Sequence, residues 1–160
     1  MNDKTKSTSP RQLILTAAGI AALAAATWLP GMLQQNALQG DIQLPVPGCE
    51  ITEAGCNTQQ DELSMQLQLS TDQPRSAEPL SFQLELGNIP ASAVMIDLQG
   101  RDMYMGVNQA QMSPVEGKPG LWQVTTELPI CVTGEMVWQA KVHAMTDNAS
   151  VSTTFEFKAR

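Results

Sequence analysis

The stretch LSMQLQLS, residues 63–70, carries an apolar side chain at every second position. Its leucines and one methionine alternate with serine and glutamine, which is the pattern of a half-buried β-strand with one wet face. The segment LSFQLELG, residues 80–87, repeats the alternation, and TDQPRSAEP between them is typical of a loop. These two segments predict two strands joined by a loop and point to an all-β fold.

Five further segments resemble short strands separated by turn signals. They are SAVMIDLQ around 94–98, MYMGVN from 103, LWQVTTEL from 121, EMVWQAKVHAM from 135 and VSTTFEFK from 151. Nothing after residue 60 has a convincing helical stripe of apolar residues. About seven antiparallel strands in about 100 residues predict an immunoglobulin-like two-sheet sandwich spanning residues 61–160.

The amino-terminal part of the chain has the pattern of a membrane anchor. Residues 1–12 are polar and basic, and residues 13–33, LILTAAGIAALAAATWLPGML, contain no charge. Twenty-one uncharged residues at 1.5 Å each cross a hydrocarbon core. The positive charges before this segment place the tail in the cytoplasm and the rest of the chain in the periplasm. A signal peptide cleaved near Ala24–Ala26 is the alternative, and it exports the same domain.

Residues 34–60 lack periodicity and contain Pro45 and Pro47, so a tether is expected there. Within it, Cys49 and Cys56 are separated by six residues. In an exported chain, two cysteines across a short turn predict a disulfide. The third cysteine, Cys131, has no such partner.

Several classes of function are disfavoured by composition. The net charge of -7 and pI near 4.5 argue against binding of nucleic acid, which needs clustered Lys and Arg. The single histidine, His143, excludes a histidine pair for zinc, and its pairing with Cys131 has no local support. No catalytic constellation is evident, so we predict no enzymatic activity.

The segment GRDMYMGVNQAQM, residues 100–112, concentrates three methionines. If the chain is extended there, Met103 and Met105 share one face and stand roughly 7 Å apart. If the chain reverses just afterwards, Met105 comes opposite Met112, within about 5.5 Å between backbones. Thioethers are soft donors that suit Cu(I).

Cys131 and Met136 add soft donors if they share that face. The candidate metal ligands are therefore Met103, Met105, Met112 and Cys131. Packing is the alternative interpretation, because a core with three Phe and one Tyr needs other bulk, and a free cysteine is often buried.

The order of GRDMYMGVNQAQM and then GLWQVTTELPICVTGEMVWQAKV resembles the small, membrane-anchored FixH and YtkA-like proteins. The resemblance covers residues 63–158 and the anchor. It implies a role in extracytoplasmic copper handling or in assembly of haem-copper respiratory oxidases, with Met103 and Met105 as matching copper donors and Met112 more weakly. Cys131 departs from the family pattern. The histidines of related copper sites are missing, which favours Cu(I) over Cu(II).

The leading hypothesis is a single-pass inner-membrane protein that presents Cu(I) to a haem-copper oxidase or a copper carrier. A metal-free module that docks on a membrane complex is the second hypothesis. Disulfide exchange through Cys131 is a minor third, because no second cysteine stands at CxxC spacing.

Overall fold

The computed structural model describes residues 40–130 and 134–160, and every regular element within them is a β-strand. The predicted tail, the predicted anchor at 13–33 and Cys131 lie outside these residues. In the described part of the chain, no helix is long and apolar enough to cross a membrane. The strands are β1 Gly40–Gln43, β2 Cys56–Gln60, β3 Leu63–Leu69, β4 Pro79–Gly87, β5 Ala93–Gly100, β6 Gln109–Pro114, β7 Leu121–Glu127, β8 Met136–Met145 and β9 Ala149–Ala159.

The all-β prediction is confirmed, and six of the seven predicted strands correspond to β3, β4, β5, β7, β8 and β9. The strand predicted from Met103 is wrong, because residues 101–108 form a loop and the next strand begins at Gln109. The expected tether also differs from the structure. Its residues 40–43 and 56–60 are strands β1 and β2.

The strands form one mixed sheet in the order β1-β9-β8-β5-β6-β7-β4-β3-β2. All neighbouring pairs are antiparallel except β1 and β9, which run parallel, so the expectation of a purely antiparallel fold needs correction. Strand β6 joins the two halves of the sheet. Its residues from Gln109 to Met112 pair with β5, and Ser113 and Pro114 pair with β7.

The sheet curls so that its two halves face each other across one core. Phe82 of β4 and Phe157 of β9 are far apart in the strand order, yet their rings meet edge to face at 5.8 Å. Alternate residues of each strand point into this core, as the period of two requires. Trp138, Phe82 and Phe155 are its largest fully buried side chains.

The chain between β1 and β2 closes the gap between the two edges of the curled sheet. The amides of Leu44 and Ile51 donate to carbonyl oxygens of β9, and both side chains are buried. The Pro45 carbonyl accepts from Thr58 of β2 at 2.6 Å and from Thr153 of β9 at 3.2 Å. Both buried hydroxyls are thereby satisfied, and each buried apolar side chain contributes about 1.5–3 kcal/mol.

Candidate functional site

The loop of residues 101–108 connects β5 to β6 at one end of the sheet. Gly106 turns the chain there with a φ of +83°, a conformation that suits glycine. The Met103 side chain is 47% exposed, whereas Met105 is partly buried and packs against the edge of the core. The two methionines therefore do not share one strand face, as an extended segment would require.

Gly100, the last residue of β5, is in close contact with three methionines. It lies opposite Trp138 and has the same inward orientation as Leu98. A methyl group at Gly100 would overlap the Met103 carbonyl oxygen and the Met136 Cε methyl, and would stand 3.3 Å from Met105 Cγ. The missing side chain thus makes room for these residues. We call Met103, Met105 and Met136 the methionine cluster.

Met112, a predicted ligand, lies elsewhere. It is 1% exposed, belongs to the core and pairs with Val94 of β5. Val94 is six residues from Gly100, which is about 20 Å along a strand. The expected pairing of Met105 with Met112 is wrong, because β6 pairs with β5 and β7 instead. The sequence suggested Met136 only as an additional donor. In the structure Met136, rather than Met112, lies beside Gly100 together with Met105.

The predicted disulfide between Cys49 and Cys56 is present, with Cα atoms 5.7 Å apart. It links the segment that closes the sheet to the first residue of β2. The backbone of the adjacent Glu50 pairs with that of Glu156, near the end of β9, in an isolated parallel β-bridge. The disulfide therefore lies at the same end of the sheet as the methionine cluster, which follows from the pairing of Met136 with Ala159.

Ion pairs surround this end of the sheet. Lys158 Nζ lies 2.7 Å from Glu50 Oε1, and this hydrogen bond and charge raise the pKa of Lys158. Arg101 contacts Asp102 at 3.3 Å and Glu156 at 3.6 Å, and the hydrogen bond to Asp102 is the main cause of its raised pKa. These groups are exposed, so the pairs hold side chains in place more than they stabilise the fold.

A surface cavity of about 310 Å³ opens beside the methionine cluster. Met103 and Met136 line it together with two carboxylates, Asp102 and Glu135, and one ammonium group, Lys158. Its thioether donors suit a small soft cation, whereas its carboxylates are paired with Arg101 and Arg160. No group of three His, Cys, Asp or Glu side chains that could hold a metal occurs within residues 40–130 and 134–160. The candidate metal donors of this cavity are therefore the thioether sulfurs of Met103 and Met136.

Exposed apolar side chains are concentrated at the same end. Tyr104, Val107 and Ile130 are 80%, 78% and 71% exposed, and Met103 adjoins them. The Asn108 side chain donates to the Glu127 carbonyl at 3.4 Å, which brings the two loops that carry these residues together. We call Met103, Tyr104, Val107 and Ile130 the apolar tip.

Comparisons with known proteins are sparse. No protein-family model and no curated protein matches the chain. A crystal structure of an engineered protein is similar to part of it, with a TM-score of 0.43 and 13% sequence identity. The matched region covers 59% of this chain and 20% of the engineered one.

Proposed function

We propose that this protein binds Cu(I) at the methionine cluster and presents it to a partner outside the cytoplasm. The observation that carries the proposal is that the Met105 and Met136 side chains and the Met103 backbone approach Gly100, while the Met103 and Met136 side chains line one cavity. Thioethers are soft ligands that favour Cu(I) over harder cations. Cys131 precedes β8 by five residues in the sequence, and we retain it as a further candidate donor on the strength of its chemistry.

The position of the cluster suits transfer rather than storage. Met103 is half exposed and lines an open cavity, so a partner could supply the remaining ligands and take the ion. The described chain begins at Gly40, which pairs with Ala149, whereas Met136 pairs with Ala159. Ten residues of β9 separate these points, or about 33 Å along the strand. The cluster thus lies at the end of the domain opposite Gly40.

The proposed setting follows from the sequence. Residues 13–33 would anchor the protein in the inner membrane, with the tail of residues 1–12 in the cytoplasm and the domain in the periplasm. The partner would be a haem-copper oxidase or a copper carrier, as the FixH and YtkA-like resemblance implies. We also assign the curled sheet to the immunoglobulin-like sandwiches. Its two facing halves and their shared core support this assignment.

The proposal is tested by anaerobic titration of the full-length chain in detergent with Cu(I), against a chromophoric competitor for the metal. The triple variant Met103→Leu/Met105→Leu/Met136→Leu removes the thioethers and nearly conserves side-chain volume. We expect it to lose one equivalent of tightly bound copper. The control Met65→Leu changes a fully buried methionine of β3 and should bind as the wild type does.

Retention of the full copper stoichiometry in the triple variant would overturn the proposal. Cys131→Ser in the same titration measures whether the thiol belongs to the site. A variant that binds normally would remove Cys131 from the ligand set without affecting the three methionines.

The second candidate function is a metal-free interaction module, which the apolar tip favours. Tyr104, Val107 and Ile130 expose most of their surface, and clustered exposed apolar residues often mark contacts between proteins. Tyr104→Ser/Val107→Ser/Ile130→Ser leaves the methionine cluster intact. Loss of a membrane partner in cross-linking, with copper binding unchanged, would favour this function. Unchanged cross-linking would exclude the tip as a contact surface.

A further inference from the structure

The outer face of the sheet carries a second group of soft donors, at a distance from the methionine cluster. On β8 the even-numbered residues from Trp138 to Ala144 are buried, so the odd-numbered residues point outward. His143 and Met145 are two of these outward residues. Met95 of β5 also alternates outward, between the buried Val94 and Ile96.

Strand register brings the three side chains together. Met95 is the direct cross-strand partner of His143, and Met145 follows two residues later on the same face. Directly opposed Cβ atoms stand about 5 Å apart, and those of i and i+2 or of diagonal neighbours about 7 Å apart. Two flexible thioethers and one imidazole can reach a common point above a triangle of this size.

We propose that Met95, His143 and Met145 form a separate site for a soft monovalent cation, Cu(I) or its analogue Ag(I). Thioether sulfur and neutral imidazole nitrogen are both favourable ligands for Cu(I). This site does not depend on the methionine cluster. Met95 lies five residues from Gly100, about 17 Å along β5, and on the opposite face of the sheet.

Packing against the core does not account for these two methionines. Met65 and Met112 are buried in the core, and Met105 and Met136 pack against its edge, whereas Met95 and Met145 belong to neither group. The wet face of a sheet is ordinarily filled by polar side chains. Here the two half-buried thioethers flank the one histidine of the chain.

The charged neighbours of His143 are turned toward other partners. Lys141, two residues away on the same face, donates its ammonium group to Gln99 Oε1 at 2.8 Å, on the side away from His143. The Asp97 carboxylate accepts from the Gln99 amide at 2.6 Å. The adjacent position on β9 is Ser152, which is uncharged. Among residues 40–130 and 134–160, the lysine nearest to His143 on this face, Lys141, is therefore directed away from the two thioethers.

A unique reporter makes the proposal testable. Because His143 is the single histidine, selective ¹⁵N-histidine labelling of the full-length chain in detergent gives one imidazole to observe by NMR. On anaerobic addition of Ag(I), we expect one ring nitrogen to shift strongly while the other keeps its N–H character. In Met95→Leu/Met145→Leu, the Ag(I) concentration at half-shift should rise by at least about tenfold.

Two outcomes would overturn the proposal. One is an imidazole that does not respond to saturating Ag(I), and the other is an unchanged half-shift concentration in Met95→Leu/Met145→Leu, which would mean adventitious binding by a lone histidine. The control Met103→Leu/Met105→Leu should leave the free Ag(I) concentration at half-shift of the His143 imidazole unchanged. Because the imidazole reports only this site, its failure is distinguishable from failure at the methionine cluster.

Discussion

Substitution of Gly100 by alanine tests whether this glycine organises the methionine cluster. The added methyl would overlap the Met103 carbonyl oxygen and the Met136 Cε methyl. The Met136 methyl can move by rotation of its side chain. The carbonyl belongs to the backbone of the loop, so relief there requires a shift of residues 101–108.

The expected magnitude follows from two opposing effects. Replacing glycine by alanine where the backbone allows it stabilises a protein by about 0.4–1 kcal/mol, because the unfolded chain loses freedom. Overpacking a filled site costs about 1–3 kcal/mol. We therefore expect Gly100→Ala to lower the free energy of unfolding by about 1–2 kcal/mol. With a urea dependence of about 1–3 kcal/mol per molar, the midpoint should fall by roughly 0.3–2 M.

The assay is urea unfolding of the full-length chain followed by tryptophan fluorescence, since the indole of Trp138 is fully buried. Gly48→Ala is the matched control, because a Cβ at Gly48 meets no atom within 4 Å. It should be neutral or raise stability by about 0.4–1 kcal/mol. A Gly100→Ala protein as stable as the wild type, or more stable, would refute the close approach of the methionines to Gly100.

Two further predictions concern the disulfide and the buried methionine. Cys49→Ala/Cys56→Ala should lower the free energy of unfolding by about 2–3 kcal/mol, because opening the short closed loop frees the unfolded chain. Denaturant titration measures this loss, and a change below about 1 kcal/mol would contradict the entropic estimate. Met112→Ala should cost about 2–5 kcal/mol through a core cavity, whereas Met103→Ala should stay within about 0.5 kcal/mol. Equal losses in thermal unfolding would contradict the different burial of these methionines.

The six confirmed strands could be predicted because their signal is local. In residues 63–70 and 80–87, apolar residues face the core and polar residues face water at alternate positions. Each residue of such a strand therefore adds to the pattern, which can be read without knowledge of the rest of the chain. The disulfide was also predictable, since Cys49 and Cys56 are close in sequence and their separation restricts the pairing.

Strands β1, β2 and β6 lacked such a signal. β1 has four residues and one partly buried position, and two prolines follow it, so its sequence resembles a tether. The strand before β7 was predicted too early in the sequence, because Met103, Met105 and Val107 occupy every second position, as apolar residues of a strand do. The observed strand, β6, begins at Gln109. In the structure, Met105 covers the edge of the core from a loop.

By itself, the sequence determined the fold class, most of the strands and the chemistry available to the protein, because composition and period-two patterning are properties of neighbouring residues. Only the tertiary structure determined which donors meet. Met136 joins Met105 at Gly100 and Met95 faces His143 because β5 and β8 pair in one register, although more than 30 residues separate them. A one-residue change of that register would reverse every face, and the apolar alternation disfavours it. A two-residue change keeps every face but gives each residue another partner, and the alternation does not distinguish it from the register observed.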